Sequence, residues 1–301
     1  MKKVNLLFLV PAILLTGCTV ETPFFLKTVV EGVQPLGETE FTDLVGETLT
    51  VKDIDCASSV MAEVNLHYSE TERKIVLNAQ SDIAEHIVIK SENKEIKIYG
   101  KANEEYKTEK ITIDIYVYTF STLNLAITKA AVDTKTLSKD KFELNVSAAS
   151  NVSLTTAYEL NEGVKGIINT SGASKVNISN IKADELEYNI SGASDVYVGQ
   201  DNSNKVTANL SGVSKLTHGS NSALQLEKTT LKITGTSQYY SFYRYVKDVE
   251  MNLSGLSSAK ARVLEKLTVS ASGGSTCYYL TDNEDLVINK NLSGGSKLQS
   301  V

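Results

Sequence analysis

Seven consecutive residues from Tyr239 to Tyr245, Tyr-Tyr-Ser-Phe-Tyr-Arg-Tyr, are the densest aromatic stretch of the chain. Aromatic faces beside a guanidinium can stack on sugar rings or on peptide side chains, which makes Tyr240, Tyr243, Arg244 and Tyr245 the candidate binding residues. A second group, Asp184, Glu185, Glu187 and Asp195, has the acids that polysaccharide cleavage uses. No pair of them recurs, and no arginine lies near, the only ones being Arg73, Arg244 and Arg262. His67, His86 and His218 are isolated from one another along the chain. No phosphate loop, zinc-ligand spacing or nucleophile elbow accompanies them, so no metal, no cofactor and no enzymatic activity is expected.

A repeat must position these residues. Eight copies of a phrase built around Ser-Gly-Ala-Ser begin at Ser147, Ser171, Ser191, Ser211, Thr234, Ser254, Ser272 and Ser293, about 18 to 24 residues apart. That is the spacing of one supersecondary unit of a solenoid. One residue past each start is Gly in seven copies and Ala148 in the first, and three past is always Ser. Five past stand Val152, Val176, Val196, Leu216, Tyr239, Ala259, Cys277 and Leu298, mostly apolar; six past stand Ser153, Asn177, Tyr197, Thr217, Tyr240, Lys260, Tyr278 and Gln299. Such alternation marks strands with one buried and one wet face. It places Tyr239 inward, Tyr240 outward and His218 in an inward column. Tyr197, Tyr240 and Tyr278 share an outward column, though not on adjacent coils.

Two residues before the start, Asn recurs as Asn145, Asn169, Asn189, Asn209, Asn252 and Asn291, and stacked amides can bond coil to coil. Stacked serine hydroxyls can do the same inside a corner with room only for Gly, Ala or Ser. A lone coil burying four or five apolar side chains at roughly 1.5–3 kcal/mol each cannot offset about 1–2 kcal/mol of backbone entropy per residue. Stacking is therefore obligatory. The expected fold is all-β, a right-handed parallel β-helix with roughly 20-residue coils.

Ahead of the repeats, Ile87–Ile89, Glu95–Tyr99 and Ile111–Tyr118 alternate as strands, with a turn over Lys90–Lys94, and nothing between residues 41 and 301 shows a helical period. Irregular coils are expected over 41–124 and regular ones over 125–301, in one continuous body. At the N-terminus, Lys2, Lys3, an apolar run from Val4 to Leu15 and Leu15-Thr16-Gly17-Cys18 read as a secretory leader over 1–17, too short to span a membrane. The residues around Cys18 resemble the lipobox of bacterial lipoproteins. That resemblance implies cleavage before Cys18, a diacylglyceryl group on its thiol, and a tether over 18–40 containing Pro23 and Pro35. Thr19 is not acidic, which points to the outer membrane and leaves the periplasmic or surface face open. Loss of Lys2 and Lys3 with the leader takes the formal charge from −6 to about −8, which excludes a nucleic-acid partner. Cys56 and Cys277 are expected as buried small hydrophobes too far apart to bridge.

The repeated Asn-x-Ser-Gly-Ala-Ser-x-Val phrases behind that leader, preceded by short charged strands, resemble the head GIN domain family of auto-transporter adhesins, from Bacteroidetes-type lipoproteins. The resemblance covers roughly residues 41 to 301. The copies at Thr234 and Ser272 depart from it, with Lys232 and Ser270 where others carry Asn. It implies a lipid-anchored envelope scaffold for adhesion, without catalytic residues. The membrane would be its partner through Cys18, and a glycan or a protein its ligand. Two other readings stand beside it: a structural or regulatory envelope protein with a protein partner, and a polysaccharide-active β-helix enzyme.

Overall fold

In the computed structural model the described residues are 27–57, 60–219 and 222–301, so the leader, Cys18 and the first part of the expected tether lie outside them. The chain is a parallel β-solenoid of about 8 turns. Each regular coil runs strand, corner, strand, as in Lys165–Thr170, residues 171–174 and Lys175–Lys182. Lys165–Thr170 lies between Phe142–Ser147 and Glu185–Ile190, while Lys175–Lys182 lies between Asn151–Glu159 and Asp195–Asp201, all parallel. Inward side chains of the two resulting sheets form one apolar core from Val30 to Cys277. Val152, Val176, Val196, Leu216, Tyr239, Ala259 and Cys277 are all buried, as their parity predicts.

The corners differ from expectation in a way their chemistry explains. Only the serine points inward: Ser150, Ser174, Ser194, Ser214, Ser237, Ser257 and Ser275 are buried. The residue before it is wet, and Val213 and Leu256 stand there at 66% and 69% exposure. The hydroxyls meet from coil to coil at Ser214, which donates to Ser237 Oγ at 3.2 Å, but among the described residues they form no continuous ladder. Ser150, Ser174, Ser257 and Ser275 donate to the carbonyl three residues back, at 2.8–2.9 Å, because the bend brings that acceptor closer than any neighbouring coil does. The backbone carries the stacking instead, with Ala193 N–H on the Gly172 carbonyl at 2.7 Å and Val213 N–H on that of Gly192 at 2.8 Å. The glycine is required twice over. Gly255 has φ +77°, and a Cβ there would fall 2.6 Å from the Gly235 carbonyl oxygen.

Towards the N-terminus the stacking order departs from chain order. Thr48–Lys52 pairs with Glu95–Gly100 on one side and Thr122–Ala126 on the other, and Ala62–Tyr68 sits likewise between Thr112–Val117 and Thr128–Val132. The chain enters the second rung, turns outward to build the first, then crosses back to the third. Antiparallel strands close this end. Ile87–Glu92 folds back on Glu95–Gly100 through Asn93 and Lys94, both at positive φ, and Leu36–Thr42 pairs with Lys74–Gln80. Thr28–Glu31 and most of Leu36–Thr42 fall inside the segment expected to be tether, yet both pair with strands of the body. Their hydrogen-bond partners, Glu104–Lys107 and Lys74–Gln80, come from much later in the chain, and the segment itself has no clear alternation to announce them. The described helices are Ser81–Ala84 and the 3-10 turn Thr134–Thr136, and none is long and apolar enough to cross a membrane. Cys56 and Cys277 are free and buried, and burial pushes each thiol up to about 11.

Candidate functional site

On the second sheet, register places Thr217, Tyr240, Lys260, Tyr278 and Gln299 in one outward column on successive coils. The ammonium of Lys260 lies 5.6 Å from the Tyr240 ring centre and 5.0 Å from that of Tyr278, so the gap between two tyrosines on alternate coils is filled by a cation. Tyr240 also packs against Phe242 at 5.4 Å and Tyr243 at 6.3 Å between ring centres. One step along the strand, the Arg262 guanidinium covers Tyr245 at 4.5 Å and reaches Asp282 at 3.7 Å. Burial and the neighbouring Tyr243 raise the Tyr240 hydroxyl above its ordinary range, leaving a neutral phenol. The patch thus offers aromatic faces, phenol hydroxyls and two cations to one ligand.

Its shape comes from a mismatch between strands. Gln238–Leu253 and Ser258–Ala271 pair from Gln238 with Ser258 to Ser241 with Ala261, then resume at Tyr245 with Arg262. Residues 242–244 have no counterpart on the following coil, although Arg244 pairs with Ser222 of the preceding one, so the strand bulges there. Phe242 is half-buried, Tyr243 is 47% exposed and Arg244 is 0% exposed. Of the four candidate binding residues, the structure brings Tyr240, Tyr243 and Tyr245 to the surface and takes Arg244 into the core. Simple alternation from Tyr239 would send Tyr243 in and Arg244 out; the excursion inverts that parity. Lys260 and Arg262 supply the positive charge expected of Arg244. Their signal in the sequence was column position alone, since Lys260 is the residue between Tyr240 and Tyr278.

Inside, Arg244 meets a polar cluster. Its Nε donates to the Asp201 carbonyl and its Nη2 to the Ser203 carbonyl, each at 3.2 Å, and Nη2 lies 3.8 Å from Asp201 Oδ1. The Asp201 carboxylate also accepts from the Tyr188 hydroxyl at 3.0 Å, His218 Nε2 at 3.1 Å and the Ser203 N–H at 3.0 Å. Burial disfavours this carboxylate, but Arg244 and His218 outweigh it and hold the carboxyl well below its usual range. Burial likewise keeps the His218 imidazole below its usual range, against the pull of Asp201.

The other acids and histidines singled out in the sequence lie beside charged or polar groups of other strands and turns. Lys165 bridges Glu185 at 2.8 Å and Glu187 at 2.7 Å, Asp184 accepts from the Gly163 N–H, and Asp195 lies in register between Lys175 and Lys215. His67 pairs with Asp114 at 3.0 Å and His86 with Glu104 at 2.7 Å, so the histidines isolated in sequence each gain a carboxylate in space. Among the described residues no group of three or more His, Cys, Asp or Glu could hold a metal ion.

Fold and surface together define a class, a stacked-coil parallel β-solenoid whose outer face carries an aromatic and cationic patch. More particularly, the chain belongs to the family described as "Putative auto-transporter adhesin, head GIN domain", which matches residues 54–167 and 164–282. That membership supports an adhesion-type role, suggests a cell-envelope or surface protein, and argues against an enzyme. The fold is similar to a "putative adhesin" from Parabacteroides merdae ATCC 43184, at 15% identity and TM-score 0.59, covering 91% of this chain and 99% of that one. It is also similar to a "putative lipid binding protein" from Parabacteroides distasonis ATCC 8503, at 15% identity and TM-score 0.62, with coverage of 91% and 99%. A second P. distasonis "putative adhesin" aligns at 12% identity and TM-score 0.56, over 91% and 100%. No curated protein matches the chain. At these identities the structural likeness speaks to fold.

Proposed function

We propose that the chain is a lipid-anchored, non-catalytic adhesion scaffold of the cell envelope that binds a glycan on the patch around Tyr240. The observation that carries this reading is the Lys260 ammonium held between the Tyr240 and Tyr278 rings, with Phe242 and Tyr243 projecting beside it. A pyranose presents an apolar C–H face to an aromatic ring and hydroxyls to its rim, where Lys260, Arg262 and the phenols can bond them. Tyr240 and Tyr278 are two coil steps apart, about 10 Å at strand spacing, the scale of a disaccharide. The lipobox-like residues at Cys18 support attachment to the outer membrane.

A glycan array probed with the wild-type chain and with Tyr240→Ala/Tyr243→Ala tests the ligand. Retention of a glycan class that the double variant loses at least tenfold, with an unchanged melting temperature, is the expected result. An empty array, or identical retention by both chains, would overturn the glycan reading and favour a protein partner. Incorporation of a labelled fatty acid into the wild type but not into Cys18→Ala tests the anchor.

A further inference from the structure

We infer that Asp201 and Arg244 are positioning residues: a buried pin that selects which side chains of the 242–244 excursion face the ligand. The inference rests on the reading of the Tyr240 patch as the binding face. The three extra residues can resume pairing with the following coil in two ways. In one, alternation continues, Tyr243 turns inward and Arg244 reaches solvent. In the other, which the structure adopts, Arg244 turns inward and Phe242 and Tyr243 are thrust out beside Tyr240. Something must favour the second, because a guanidinium does not enter an apolar core unpaired.

Asp201 is that partner, and the solenoid itself has no need of it. The residue in register on the preceding coil is Ile181, fully buried and apolar. The polar cluster is also a poor stabiliser as built. Arg244 Nη1, His218 Nδ1, Ser203 Oγ and Ser241 Oγ have no protein partner among the described residues. Buried charge pairs with unmet hydrogen bonds are commonly no better than apolar packing, and their best-attested use is to fix one arrangement over another. Here the arrangement fixed is the parity of the excursion. The Tyr188 hydroxyl and His218 hold the carboxylate in place, with the His218 ring edge-on to Tyr188 at 5.9 Å and to Tyr239 at 5.5 Å.

Limited proteolysis under native conditions reads this parity directly, without any ligand. Trypsin should spare the bond after Arg244 in the wild type, while chymotrypsin attacks after Tyr243. In Asp201→Ile, which copies the apolar packing of Ile181, Arg244 loses its counter-charge and moves to solvent. Tryptic cleavage after Arg244 should rise at least tenfold, chymotryptic cleavage after Tyr243 should fall, and cleavage at lysines of the regular coils should stay unchanged. Asp201→Asn keeps the shape and loses the charge, and should shift the same two bonds in the same directions by a smaller factor. Arg244 as resistant in both variants as in the wild type would overturn the inference. So would cleavage rising evenly along the solenoid in both, since the pair would then hold the fold rather than the excursion. A glycan array that stays empty leaves this result intact, so the two failures are separable.

Discussion

A corner of this solenoid places opposite demands on adjacent residues, and Gly255 and Leu256 show it. Gly255 combines φ +77° with a carbonyl 2.6 Å from where a Cβ would sit, whereas Leu256 is open to solvent. Gly255→Ala meets both the left-handed penalty and a clash that only separating the coils relieves, a cost of about 2–4 kcal/mol. Leu256→Ala, one residue on, should stay within about 0.5 kcal/mol of wild type. Urea denaturation of the two variants checks this, and equal midpoints would mean the corners tolerate a side chain. The Gly-x-Ser spacing was legible in the sequence because a backbone needing positive φ leaves that mark at seven of the eight corners, with Ala148 at φ +62° the exception. The solvent-facing place of the residue between was not, because Ala173 and Ala193 fit a tight corner and an open one equally well. Arg244 shows the other limit at this scale. Its parity depends on three residues without partners in the next coil, which no reading of its own strand reveals.

Among the elements, the asparagine column is the clearest gain from sequence to structure. Asn145, Asn169, Asn189 and Asn209 each donate to the amide oxygen of the coil before, at 2.8, 2.6, 2.9 and 2.7 Å. Asn124 continues the run to Thr50 at 2.9 Å, and Thr50 donates to Glu95 at 2.5 Å. Every amide points the same way, so the aligned dipoles present their positive end to a carboxylate. The Thr50 hydrogen bond is the leading cause that holds Glu95 below its ordinary range. At the other end, Lys232 follows Asn209 in register, a cation at the acceptor end of the line. The Lys232 departure from the repeat thereby acquires an electrostatic reason. Asn169 makes two of these bonds and Asn209 one, so Asn169→Ala should cost about 2 kcal/mol and Asn209→Ala about half that. Equal losses on chemical denaturation would show that the amides act singly with solvent. Strands and corners could be read from alternation, but the crossed order of the first three rungs could not. Thr48–Lys52 is as apolar on its inward side as any strand, and nothing in it says that Glu95–Gly100 will stack outside it.

At the scale of the whole molecule, the two ends of the stack are finished differently, and that difference bears on self-association. The outermost strands of the N-terminal end, Leu36–Thr42 and Ile87–Glu92, join the stack by antiparallel pairing, whereas those of the C-terminal end, Val287–Leu292 and Lys297–Ser300, join it by parallel pairing; each of the four pairs on one side only among the described residues. Their inward positions lie under Leu267, Val269 and Ala271 of the coil above and are occupied by Ile288, Lys290 and Leu292. A lysine in the middle of an inward column puts a charge where a stacking neighbour would need an apolar group, one of the recognised defences of an open strand edge. Lys290→Val removes that charge and continues the apolar column beneath Val269. The variant should associate through this edge with the same edge of a second copy, because the exposed strand Leu36–Thr42 at the other end is mostly polar and offers no matching apolar column. A two-fold pairing of that kind closes on itself, so dimers rather than fibres are expected. Sedimentation at increasing concentration should show a dimer for Lys290→Val where the wild type stays monomeric. A variant that remains monomeric throughout would mean that the partly exposed Ile288 and Leu292 offer too little apolar area to bind, charge or no charge.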